Sequence, residues 1–120
     1  MPNIYVLGLA PEETRVFSRL ATDFFEQELE TPREHVEVYH QEARLFRDGE
    51  EASVTPVIVK LSWIRRPEAH FTKAIAGLTA IVHEELRQRH RSVQIELHEK
   101  WDDAAVDGRL CSAWARANRK

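Results

Sequence analysis

The sequence predicts an α+β fold in which two fused βαβ units form a four-stranded mixed sheet with two helices on one face. Three observations predict it. Short alternating apolar runs and longer runs with helical spacing succeed one another as strand, helix, strand, and then do so again. The halves keep step: Pro11-Glu12 recurs as Pro67-Glu68 at an offset of 56, and Val36 and Val38 recur as Val93 and Ile95 at an offset of 57. A βαβ crossover makes its two strands parallel, with the helix on one face and a right-handed connection. At 120 residues the chain is expected to be one domain, 1–120, with repeat units of about 1–55 and 56–120.

Each element has its own signal. "NIYVLGL" (3–9) is strand-like. In the stretch 10–30, Pro11 with Glu12 and Glu13 marks a helix start, and Val16, Leu20 and Phe24, four apart, define its predicted buried stripe. "HVEVYH" (35–40) alternates as a second strand, and Asp48-Gly49 in "RLFRDGEEAS" is a tight-turn dipeptide. "TPVIVKLSWI" (55–64) reads as the third strand. The stretch 65–90 predicts a second helix, with Pro67 in its first turn and a stripe of Phe71, Ile75, Leu78, Val82 and Leu86. "SVQIELHEK" (92–100) alternates as a fourth strand, and a polar tail follows.

Composition bounds the function. Hydrophobic residues make up 42% and charged residues 31%, as in an ordinary soluble globule. With 17 Lys and Arg against 20 Asp and Glu, the net charge of -3 draws the chain neither to nucleic acid nor to an anionic membrane, so neither partner is expected. The apolar run "IYVLGLA" is broken by Pro11 and the acids behind it before it could act as a signal or span a membrane. A single cysteine, Cys111, excludes an internal disulfide and suits a reducing compartment, which makes the cytoplasm the expected location. The histidines lack carboxylate or cysteine partners at ligand spacing, and the four glycines form no phosphate loop, so no metal and no cofactor is expected.

Alternation assigns the sheet faces. Val36, Val38, Val57, Val59, Leu61, Val93, Ile95 and Leu97 are expected to face the helices. Glu37, Tyr39, Lys60, Ser62, Gln94, Glu96 and His98 then fall on the other face, which either meets water or lines the inside of a ring of subunits. The start of the chain raises a separate point. Proline has no N–H for a ladder and is tolerated as a strand's first residue. Trimming of Met1 would also leave Pro2 as a free secondary amine, a base that no internal residue supplies.

Met1-Pro2 leading into the first strand, "TPREHVEVYHQEARLFRDG", "TPVIVKLSWI" and "SVQIELHEKWDDAAVDG" together resemble the tautomerase superfamily, and within it the macrophage migration inhibitory factor type with two fused βαβ units. "TPVIVKLSWI" with "VDGRL" is similar to a family of small uncharacterised bacterial proteins of that fold. The resemblance implies a homotrimer around a central channel, with an active site at each subunit boundary and Pro2 as its catalytic group. It further implies keto-enol tautomerisation, or a hydratase- or dehalogenase-like reaction, on a small 2-oxo acid or an unsaturated carboxylate. The alternative is a catalytically silent trimeric scaffold that binds a ligand or a protein partner.

Pseudo-twofold packing of the two units brings the end of the third strand beside Pro2, and with it Trp63, Arg65 and Arg66. Trp63 would wall the amine, and a guanidinium from Arg65 or Arg66 would grip a substrate carboxylate through two parallel hydrogen bonds. Thr31 stands where the migration inhibitory factor type has a lysine, and His35 is the candidate replacement as a hydrogen-bond donor. Gln94 and Glu96 correspond to residues contributed across the subunit boundary, with Glu96 a candidate to activate water.

Overall fold

The computed structural model describes residues 2–64, 66–99, 105–106 and 109–110. The first unit is β1 (Asn3–Leu7), α1 (Pro11–Leu29), a 3-10 turn (Arg33–His35) and β2 (Glu37–Gln41). A small hairpin, β3 (Phe46–Arg47) and β4 (Glu50–Glu51), leads to the second unit: β5 (Val57–Trp63), α2 (Glu68–Ala80), a π-helical turn (Ile81–Glu85) and β6 (Val93–Glu99). β7 (Ala105–Val106) and β8 (Arg109–Leu110) pair in what the sequence reads as a polar tail.

The main sheet has four strands in the order β2-β1-β5-β6. β1 is parallel to β2 and β5 is parallel to β6, as the two crossovers require. The units join through antiparallel β1 and β5, with Asn3 opposite Ser62 and Leu7 opposite Ile58. This is the mixed sheet and the pair of βαβ units that the sequence predicts. Between β3 and β4, Asp48 and Gly49 have φ of 49° and 83°, the doubly positive geometry for which Asp-Gly is suited. No helix among the described residues is long and apolar enough to cross a membrane.

The helical stripes lie slightly off the predicted lines. In α1 the deep line is Phe17, Ala21, Phe25 and Leu29, one residue along from Val16, Leu20 and Phe24. Leu20 and Phe24 pack beside that line, and the Phe24 ring lies against Gly77 of α2, where an added Cβ would come within 2.2 Å of it. In α2 the buried residues are Phe71, Ala74 and Leu78, and Ile75 is 37% exposed because it falls outside this i, i+3, i+7 frame. Ile81 and Val82, three and four residues beyond Leu78, are both buried, and the turn that follows is π-helical, shown by the Leu86 N–H bonding the Ile81 carbonyl. The helix stops there rather than at residue 90, with Arg87 in a left-handed conformation (φ 56°). Leu97, expected under the helices, is 39% exposed: β6 is an edge strand, and this part of it lies outside the helix layer.

Side chains tie the two units together, among them Gln88, whose amide donates to Glu13 Oε2 at 2.8 Å, and Arg91. Arg91 Nη2 donates to the Gly8 carbonyl at 2.6 Å, and Nε and Nη2 donate to the Thr55 carbonyl at 2.9 and 2.7 Å. The Arg91 carbonyl is itself 3.0 Å from His83 Nε2. Gly8 permits this close approach: its φ is 95°, and a Cβ there would sit 2.5 Å from the Pro56 carbonyl oxygen.

Candidate functional site

The β1–β5 register, continued one step from Asn3 and Ser62, sets Trp63 opposite Pro2. Both point to the helix side, because side chains alternate and Ile4, Val6, Val59 and Leu61 are buried there. Pro2 is under 2% exposed and Trp63 is fully buried. The Pro2 carbonyl accepts the Glu37 N–H at 3.2 Å, which holds the start of β2 alongside.

Trp63 is the centre of an aromatic cluster. The rings of Phe25 and Phe71 stand edge-on to it, with centroids 5.1 and 5.5 Å away. The guanidinium carbon of Arg66 lies 5.3 Å from the indole ring centroid, so the cation rests on the aromatic face while its own residue is exposed. Trp63 Nε1 and His70 Nδ1 are buried without a hydrogen-bond partner among the described residues. An unsatisfied buried polar group costs about 1–3 kcal/mol, and such groups recur where a ligand or water is to be bound. His70 lies in the first turn of α2, directly before Phe71, so both orphaned atoms belong to the elements at the Pro2 end of the sheet.

His35 closes the 3-10 turn two residues before Glu37 and is half-buried at the same end. Arg65 lies outside the described residues. Thr31, by contrast, is 4% exposed, and its hydroxyl donates to the Leu29 carbonyl at 3.2 Å, so it offers nothing to a site. Gln94 and Glu96 are not brought to Pro2 within the chain. They pair with Ile58 and Lys60, exposed on the open face, whereas Glu99 is the β6 residue level with Trp63. At roughly 3.3 Å per residue they stand about 16 and 10 Å further along the strand. On that open face Tyr5 and Tyr39 stack at 5.1 Å. The Tyr39 phenol donates to Glu37 at 3.2 Å, and this hydrogen bond, with the nearby charge, holds its pKa above the usual phenol value. His98 Nε2 is 3.6 Å from Glu96 Oε1. Among the described residues no three His, Cys, Asp or Glu side chains converge as a metal-binding group.

No protein-family model matches the sequence, and no curated protein matches it. Solved structures do. A domain of unknown function (DUF1904) from Sebaldella termitidis is 25% identical with a TM-score of 0.75, covering 90% of this chain and 97% of that one. A fused 4-OT asymmetric trimer is 19% identical with a TM-score of 0.76, covering 95% and 99%. Pt0534, solved after inactivation by 2-oxo-3-pentynoate, is 18% identical with a TM-score of 0.70, covering 94% and 97%. The chain has the tautomerase-superfamily fold.

In this tautomerase fold the end of the sheet that carries Pro2 also carries Trp63, Arg66 and His35, all legible from symmetry and order in the sequence. Phe25 and His70 were not anticipated there. Phe25 was hidden by its neighbour Phe24, and the signal for His70 was its place in the first helical turn behind Trp63.

Proposed function

We propose that this tautomerase-fold chain is an enzyme in which Pro2, freed of Met1, acts as general base or general acid on a small 2-oxo acid or an unsaturated carboxylate. The observation that carries this reading is the burial of both Pro2 and Trp63 at one end of the sheet, with the Arg66 guanidinium on the indole. An apolar wall disfavours the ammonium form and leaves a neutral nitrogen able to take a proton. As a base, the nitrogen removes a proton from the carbon next to the ketone and returns it elsewhere on the enol. A guanidinium, from Arg66 and from the neighbouring Arg65, balances the carboxylate and the charge that builds on the enolate oxygen. His35 serves as an additional donor.

The same reading takes the protein to be one cytoplasmic domain that assembles as a homotrimer. In that assembly the polar open face lines a channel, and Gln94 and Glu96 reach the Pro2 site of a neighbouring copy. Support comes from the charged and polar residues of that face and from the fused 4-OT neighbour, which is a trimer. The test borrows the inactivator of Pt0534. The secondary amine adds to the triple bond of 2-oxo-3-pentynoate, forming one N–C bond. The nitrogen's proton passes to the adjacent carbon, and nothing leaves. The expected result is a mass increase of one whole reagent that peptide mapping assigns to Pro2. An unmodified, Met1-free N-terminus together with no turnover of 2-oxo acids or haloacrylates would favour the silent trimeric scaffold, a second reading supported by the burial of Thr31.

A further inference from the structure

A cleft lies at the other end of the sheet from Pro2. Arg47, Thr55, His90, Arg91, Ser92 and Gln94 line it with Val54 and Pro56, and its volume is about 230 Å³. None of these residues is acidic, although the chain as a whole carries 20 acids against 17 bases. Among the described residues, neither Arg47 nor Arg91 lies within ion-pair distance of a carboxylate. Glu50, opposite Arg47 in the β3–β4 hairpin, makes no ion pair with it, and Glu51 is taken by Arg44 at 2.7 Å.

Arg91 is the more telling of the two cations. It is half-buried, and its hydrogen bonds go only to neutral oxygens: the carbonyls of Gly8 and Thr55, and the Thr55 hydroxyl at 2.8 Å. Those bonds use Nε and Nη2 and fix the guanidinium plane, so Nη1 has no hydrogen-bond partner among the described residues. A half-buried, rigid, uncompensated cation favours an anion, because the ordering entropy of the side chain has already been met by the fold. Arg47 supplies a second positive charge, and Ser92 and Gln94 supply neutral hydrogen-bonding groups.

We propose that this cleft binds a small organic carboxylate, oriented by Arg91 and balanced by Arg47; it shares Gln94 with the cross-subunit wall proposed above but does not need Pro2 for binding. The cleft opens to solvent, and its volume of about 230 Å³ accommodates a three-carbon dicarboxylate.

The experiment is an NMR titration of the intact protein with malonate, against chloride at matched ionic strength. Malonate is expected to move the amides of Arg47, Arg91 and Ser92 saturably, and chloride is not. Arg91→Ala would undo the clamp on Gly8 and Thr55, so Arg47→Ala carries the test. The affinity is expected to fall about tenfold in Arg47→Ala while the spectrum stays folded. Pro2→Ala should leave malonate binding unchanged. Equal shifts with chloride, an affinity indifferent to Arg47→Ala, or loss of binding in Pro2→Ala would each overturn the assignment. The last would make the cleft part of the Pro2 site of another copy.

Discussion

Gly8→Ala tests whether the contact among β1, β5 and the segment before β6 is as tight as it looks. Gly8 and Gly49 both have positive φ, 95° and 83°, but a Cβ on Gly49 would meet nothing within 4 Å. At Gly8 the same Cβ would lie 2.5 Å from the Pro56 carbonyl oxygen and 3.3 Å from both Arg91 Nη2 and Thr55 Oγ1. The nearest of these is a backbone atom of the neighbouring segment, which cannot swing aside as a side-chain tip can. Alanine at either position is strained by roughly 1–2 kcal/mol through its backbone, and the loss of unfolded-chain entropy on replacing glycine is common to both. Overpacking adds about 1–3 kcal/mol at Gly8 alone, and disturbing the Arg91 bond to the Gly8 carbonyl adds up to about 1.5–3 kcal/mol more. Gly8→Ala should therefore be about 2–4 kcal/mol less stable than Gly49→Ala, a large share of the ~5–15 kcal/mol typical of a domain. Urea unfolding at matched protein concentration measures it, and with a slope of ~1–3 kcal/mol per molar the midpoints should differ by about 1–2 M. Coincident midpoints for the two variants would refute the close approach at Gly8.

Four further outcomes are expected. Pro2→Ala should abolish turnover of any substrate found, with circular dichroism and assembly unchanged; in the wild type, rate should fall at low pH if the nitrogen is a base and at high pH if it is an acid. Arg66→Ala should raise KM for a carboxylate substrate about 10- to 100-fold, the range for a lost hydrogen bond to a charged group, with a smaller change in kcat. Gly77→Ala should lower stability by up to about 2 kcal/mol, since overpacking against Phe24 at ~1–3 kcal/mol is set against a helix-propensity gain of ~1 kcal/mol, and adding Phe24→Leu should recover the loss. Its hydrogen bond from Arg44 holds the Glu51 carboxyl below its ordinary pKa. The clamp on the β3–β4 hairpin is therefore fully present above that ordinary value and disappears as pH falls through the lowered one. A carboxyl-carbon NMR titration should show the midpoint of Glu51 returning upward in Arg44→Gln.

Order and symmetry were the readable parts of this chain. Alternation in 36–40 and 93–97 and the recurrence of Pro-Glu carried the topology, and antiparallel pairing of two equivalent strands carried Trp63 to Pro2. What sequence did not determine was phase and reach. Positions 16, 20 and 24 and positions 17, 21 and 25 of α1 are both apolar lines, and only the sheet beneath decides which is deeper. The strong helix formers after Val82 hide a π turn that ends the helix early. A period of two names the face of Leu97 but not how far the helices extend over it. The basic cleft was invisible for another reason: Arg91 lies 36 residues beyond Thr55 and joins it and Arg47 only in the folded state.

The Arg91 clamp also bears on the order of folding events. Its bond to the Gly8 carbonyl spans 83 residues and its bonds to Thr55 span 36, so closing it requires both βαβ units and their antiparallel junction to be in place. Contacts separated by that much chain carry their loop-closure entropy before they return any energy. If the clamp closes after the rate-limiting barrier, damage to it is expected to hasten unfolding while the folding rate hardly changes, which a chevron plot of Gly8→Ala would read directly.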